Sequence, residues 1–169
     1  MKAKLIIENK EIEIEISEEE YKKLQPSEEK KTGYERVPES DIYFYAHPSG
    51  CVETTCEACY NVDDEYYESA NYYSDKTVAE NNARADKLMR QLRRFSVEHR
   101  EREVDFNDTN TEKYYIYYDY GNDELGVSLV FRSKKFGAIW FDSEETAQAA
   151  IDEFHDELIW YFTEYKDSL

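Results

Sequence analysis

Glycine and proline are scarce in this 169-residue chain, five and three respectively, and the structures that depend on them are excluded with them. No glycine-rich loop is present to cradle a phosphate, and no nucleophile elbow places a serine on a strained turn. Cysteine is scarce as well. Its three copies lie between Cys51 and Cys59, an odd number in one short stretch, which builds no disulfide framework. No segment approaches eighteen apolar residues, and the opening MKAKLIIENK lacks an apolar signal core, so neither a membrane span nor secretion is expected and a cytoplasmic location in a host cell is.

Positive charge is the other shortage. Twenty-one Lys and Arg face thirty-nine Asp and Glu, a net charge of −18. The overall field therefore opposes nucleic acid and anionic membranes, and a charged partner should present a basic surface. Charge of this size would indicate disorder if apolar residues were few. Here 40% of residues are apolar, 15% are aromatic and sixteen are tyrosine, whose ring buries while its hydroxyl stays wet. The chain is expected to fold, and its length allows a real core.

The acid is unevenly spread. Residues 52–80 sum to −7, 103–125 to −6 and 141–169 to −8, while 83–102 sum to +4 and 126–140 to +3. Three acidic regions thus alternate with two short basic ones, which predicts patches instead of a uniform field.

Periodicity predicts an α+β fold of three successive antiparallel hairpin-helix units. In residues 1–25, Lys4–Glu8 and Glu11–Ile16 alternate about an Asn9-Lys10 turn, with Ile12, Ile14 and Ile16 on one face. Ser17 and Glu20 then form a capping box, and Tyr21 and Leu24 give a short helix ended by Pro26. Residues 26–40, polar and carrying two prolines and Gly33, read as a linker. Residues 41–169 read as a domain of two further units. Each opens with an aromatic strand, Asp41–His47 or Lys113–Tyr120, then a turn and a second strand, Cys51–Tyr60 or Leu125–Arg132. ANYYSDKTVAENNA from Ala70 aligns without a gap on AIWFDSEETAQAAI from Ala138, pairing Tyr72 with Trp140, Tyr73 with Phe141 and Ala79 with Ala147. The match predicts a duplication. Ser74 or Asp75, and Asp142 or Ser143, are the candidate helix caps.

The helices divide by face. In the last, Ala147, Ala150, Ile151, Phe154, Leu158, Tyr161, Phe162 and Tyr165 form the apolar stripe. Glu145, Asp152, Glu153, Asp156 and Glu157 lie opposite. Carboxylates one turn apart are separated by about 6 Å of axial rise, on the scale of successive phosphates along a nucleic-acid strand. The preceding helix buries Val78, Ala85, Leu88, Met89, Leu92 and Phe95 and exposes Arg84, Lys87, Arg90, Arg93 and Arg94. These bases suit a helix C-terminus or acidic partners in the same chain.

His47, Cys51, Cys56 and Cys59 supply enough donors for a structural zinc, but within one hairpin they lack two separated ligand pairs, so no metal or other cofactor is expected. Asp119, Asn122, Asp123 and Glu124 read as turn residues, since no EF-hand spacing surrounds them. His155 has carboxylates only at adjacent positions, which point elsewhere on a helix, and His99 lies in a charged run. No enzyme is expected.

The stretches LIIENKEIEIEISEEEYKKL, TGYERV, YYIYYDY and AIWFDSEETAQAAI together resemble a group of small acidic proteins carried by phages and integrative elements of Firmicutes. Most of that group lack a counterpart of the cysteine segment. The resemblance implies a mobile-element origin and, by association, an anti-defence role. Joined to the acidic patches, it leads to a non-enzymatic inhibitor of the anti-CRISPR type, a DNA mimic that occupies the basic groove of a host nucleic-acid-binding protein such as a Cas effector, with no nucleic acid or membrane bound directly. The expected contact residues are Asp63, Asp64, Glu65, Glu68, Glu145, Asp152, Glu153, Asp156 and Glu157. Two alternatives stand beside it: a protein sequestering a small signalling nucleotide between tyrosines and Arg90, Arg93 or Arg94, and a homo-oligomer of the mobile element joined basic helix to acidic patch.

Overall fold

A computed structural model describes residues 2–7, 10–15, 17 and 31–169, the first two stretches as backbone. The chain forms two compact units, Met1–Lys31 and Thr32–Leu169. In the first, β1 (Lys2–Ile7) and β2 (Lys10–Glu15) pair antiparallel. Their register sets Lys2 across from Glu15, Lys4 from Glu13 and Leu5 from Ile12. The helix expected around Tyr21 and Leu24 lies outside the described residues.

The second unit runs β3 (Ile42–Ala46), β4 (Val52–Cys56), α1 (Asn61–Glu68), α2 (Lys76–His99), β5 (Lys113–Asp119), β6 (Glu124–Val130) and α3 (Glu144–Thr163). The fold is mixed α+β, each sheet being a two-stranded antiparallel hairpin. Both hairpins of this unit carry the same addition. A single residue before the following helix pairs with the free edge of the first strand, Tyr73 with Phe44 and Phe141 with Tyr114. The N–H and C=O groups are exchanged in both directions at 2.9–3.0 Å. The helices then start at equivalent positions, where the Asp75 carboxylate accepts from Val78 N–H and Ser143 Oγ from Thr146 N–H. Ala79 and Ala147, one turn later, are both fully buried. A methyl group is what each position admits, because the helix approaches the bridge there.

The helix α1 belongs to the second hairpin alone and was not anticipated. The strand expected at Cys51–Tyr60 stops at Cys56, where Glu57 turns inward and Cys59 adopts φ +56°. NVDDEYYE has no apolar period to announce a helix, and its buried residue is Asp63. Residues 32–40, expected as linker, instead pack into this unit. Gly33 sits at φ +91°, where a Cβ would lie 2.7 Å from Val78 Cγ2, and its carbonyl accepts from Ser74 N–H at 2.8 Å.

The helix α2 joins two cores. At 24 residues it extends about 36 Å. Its first turns supply Val78 and Ala79 to a cluster with Tyr73, Phe44 and Tyr34. Its last turns supply Leu88, Leu92 and Phe95, which meet Tyr114, Phe141 and the α3 residues Ala147, Ala150, Ile151 and Leu158. The predicted stripes lie on the buried faces, which also take in Ala79, Ala83 and Ser96 of α2 and Trp160 of α3. Trp160, on the polar side by sequence, is buried beneath Arg84, whose guanidinium lies 3.9 Å from the ring centroid. Non-helical dihedrals at Phe154, φ −110° and ψ 21°, kink α3 just before this contact. Among the described residues no helix is long and apolar enough to cross a membrane.

Candidate docking surface

The nine expected contact residues separate by environment. Asp63 does not belong to a surface: it is 2% exposed. It stands at the third position of α1, where one carboxylate oxygen accepts from the N–H groups of Tyr60 and Ala58 at 3.0 Å and the other from Tyr43 Oη at 2.8 Å. The backbone N–H of Tyr60 is the largest of the causes that hold its pKa below the ordinary value. Asp63 is therefore a cap and a core acceptor, and the expectation that it meets a partner is corrected.

Next to it lies a network that the sequence reading missed. Glu57 is 1% exposed and accepts from Arg36 through both oxygens at 2.9 Å, and Tyr72 Oη donates to it at 2.9 Å. Arg36 also reaches Asp64 at 2.6 Å, so Asp64 is matched within the protein too. The rings of Tyr43 and Tyr72 stack at 3.9 Å above these acids. The Arg36 hydrogen bonds hold the Glu57 carboxyl below its usual range, while burial pushes the Tyr72 phenol up to about 12 and raises Tyr43 further. Two charged carboxylates and two neutral phenols thus coexist across the neutral range. A usable signal existed. Arg36 and Lys76 are the only bases in residues 32–83, and a single arginine amid so many acids in a folded segment is a ready internal partner.

On α3, Glu157 is also engaged: Arg84 donates to its two oxygens at 2.8 and 3.1 Å. This fulfils the expectation that the basic helix pairs with acids of its own chain, and removes Glu157 from the open set. Glu145, Asp152, Glu153 and Asp156 are exposed. Asp152 accepts from Gln148 at 3.1 Å, and Asp156 lies 3.1 Å from His155 Nδ1. Among the described residues no Lys or Arg pairs with these four, nor with Glu65 and Glu68, which are exposed on α1. Six of the nine expected carboxylates thus face solvent with no Lys or Arg partner among the described residues.

The other candidates resolve locally. His47, Cys51 and Glu53 bring one donor atom each within 4.8 Å of one another, all exposed. Cys56 stands opposite Ile42 at the far end of the hairpin, so the four-residue set His47, Cys51, Cys56 and Cys59 is not gathered at one point. Asp119 accepts from Gly121 N–H and Asn122 Nδ2 at 2.8 Å, and Asp123 accepts from Tyr118 Oη, which is turn work as expected. The His99 ring stacks on Phe95 at 3.9 Å.

One candidate arginine shares a pocket with a tyrosine: Arg90 and Tyr73 line a hollow of about 440 Å³ with His47, Asn71 and Asp86. A cavity of about 450 Å³ is lined by Tyr115, Tyr117, Tyr118, Tyr120 and Tyr161, and none of Arg90, Arg93 and Arg94 reaches it. Arg90 and Arg94 instead border a shallow hollow of about 250 Å³ with Lys87, Pro48 and Ser49. The tyrosine-rich cavity opens between β5 and α3, away from the exposed side of α2 that carries these arginines, so the pairing expected of a sequestering site is met at Tyr73 and Arg90 and not in the cavity with the most tyrosines. No protein-family model, curated protein or solved structure matches the chain.

Proposed function

We propose that the protein is a non-enzymatic inhibitor that docks its acidic surface onto the basic nucleic-acid groove of a host defence nuclease, most concretely a Cas effector, in the manner of a DNA mimic. The observation that carries this reading is the contrast within one helix. Arg84 neutralises Glu157, yet among the described residues no Lys or Arg pairs with the exposed Glu145, Asp152, Glu153 and Asp156. A face left uncompensated keeps its charge for an external cation, and complementary charge of this kind steers encounter and sets register. The resemblance to acidic proteins of mobile elements supports the choice of a defence protein as partner.

The test is competition with DNA for a purified Cas effector, followed by fluorescence anisotropy at rising salt. Binding is expected to weaken steeply between 50 and 200 mM salt, as contacts on a phosphate groove do. The double reversal Asp152→Lys, Glu153→Lys should weaken it at least tenfold, roughly 1.4 kcal/mol, while Glu157→Gln should change it little. Competition that is indifferent to both salt and the double reversal would remove the reading.

A further inference from the structure

The two hairpins of the second unit differ along the strand edge beyond the bridge, and a cavity lies there. In an antiparallel pair the residue two positions beyond a hydrogen-bonded bridge presents its N–H and C=O to the same edge. Beyond the Phe44–Tyr73 bridge that residue is Ala46, and Asn71 closes the edge. Asn71 Oδ1 accepts from Ala46 N–H at 2.8 Å and its Nδ2 donates to Ala46 C=O at 3.0 Å. Beyond the Tyr114–Phe141 bridge the residue is Ile116, and the position of Asn71 is taken by Ile139, which has no amide to offer. Among the described residues no hydrogen bond joins the Ile116 edge to residues 137–139. Ile116, Tyr118, Gly137 and Ile139 instead line the 450 Å³ cavity, together with Leu88 and Phe162.

The geometry points to a ligand site here, for a small, flat, largely apolar molecule carrying an H–N–C=O edge with the two groups on one side, as in a primary carboxamide or a lactam. The edge would do for Ile116 what the Asn71 side chain does for Ala46, with one acceptor and one donor on the two groups of a single residue. The aromatic and aliphatic walls would take the body of the molecule, a lining usual for pockets of this volume. Among the lining residues, the Lys135 ammonium lies 4.0 Å from the centroid of Tyr115 and donates to its hydroxyl, which brings a positive charge to the cavity wall for an anionic substituent. The site is independent of the acidic surface.

Amide exchange and titration followed by ¹H–¹⁵N spectra test it on the whole protein. In the free protein the Ile116 amide should exchange at least tenfold faster than that of Ala46. Benzamide should shift and protect it, and N,N-dimethylbenzamide, which keeps the ring and loses the N–H, should bind at least tenfold more weakly. Uracil and nicotinamide then separate the biological sources, a nucleobase lactam from a carboxamide. Ile139→Asn, which builds the missing closure into the chain, should slow Ile116 exchange and abolish binding of all three. An Ile116 amide as protected as Ala46 in the free protein overturns the proposal, as does equal binding of benzamide and its dimethyl derivative, or binding of none of the three.

Discussion

Replacing Arg36 by methionine is expected to destabilise the second unit by roughly 2–4 kcal/mol, a loss set by the acid left behind rather than by the arginine itself. Glu57 is buried and takes three of its hydrogen bonds from Arg36 and Tyr72. Without the guanidinium its charge remains in the interior with a single phenol and the Cys59 N–H as donors. The lower part of the range is appropriate because Arg36 is itself one-third exposed and screened by water. The effect should depend on pH in a definite direction. Glu57 and Asp63 are both held below their ordinary values, Glu57 chiefly by Arg36 and Asp63 chiefly by the Tyr60 N–H. A carboxylate whose folded pKa is depressed contributes stability that is fully present above its unfolded value, near 4.5 for Glu57, and lost as pH falls through the folded value. Wild type should therefore lose stability below about pH 4.5. In Arg36→Met the Glu57 pKa rises, so that contribution is already absent at neutral pH and the gap between the proteins narrows in acid. Urea denaturation at pH 7 and pH 3 measures both quantities. Equal stabilities at pH 7 would show that the pair is not coupled to folding, and a gap as wide at pH 3 would separate its loss from the Glu57 charge.

What the sequence revealed and what it concealed follow from the range of the forces involved. The hairpins and long helices were legible because their signals are local: alternation at Lys113–Asp119, and three- and four-residue apolar steps from Val78 to Phe95 and from Ala147 to Leu158. The correspondence of Tyr73 with Phe141 was legible too, and each makes a bridge to the first strand of its own hairpin, Tyr73 to Phe44 and Phe141 to Tyr114. By contrast α1 is held by contacts distant in sequence. Asp63 is placed by Tyr43, twenty residues away, and Arg36 finds Glu57 across twenty-one. A pattern confined to a window cannot tell a buried, hydrogen-bonded Asp63 from its exposed neighbour Glu65, because both are acids in a polar run. The acidic surface was legible only in outline for that reason, and pairing withdrew Asp63, Asp64 and Glu157 from it. Burial of Trp160 was hidden by the α3 kink, which neither proline nor glycine marks.

Phe141→Ala should cost about 3–5 kcal/mol and lower Tm by roughly 10–15 °C. The side chain is 0% exposed and belongs to the cluster that joins Leu88 and Leu92 of α2, Tyr114 of β5 and Ala147 and Ile151 of α3. No other buried aromatic lies in the segment between the third hairpin and α3. Truncation leaves a void continuous with the existing 450 Å³ cavity, whose wall Phe141 forms, so neighbouring side chains cannot collapse onto a small hole and the upper part of the range applies. Water can enter an enlarged open cavity, but it finds few polar partners on aromatic and aliphatic walls. The backbone bonds from Phe141 to Tyr114 involve only main-chain groups and remain available to alanine. The loss therefore reports packing, and Phe141→Leu, which restores most of the volume, should recover more than half of it. Thermal unfolding of the three proteins decides the matter. If leucine is as damaging as alanine, the ring's shape and not the filled volume holds α2, β5 and α3 together. If both are nearly neutral, the two helices and the third hairpin are held mainly elsewhere.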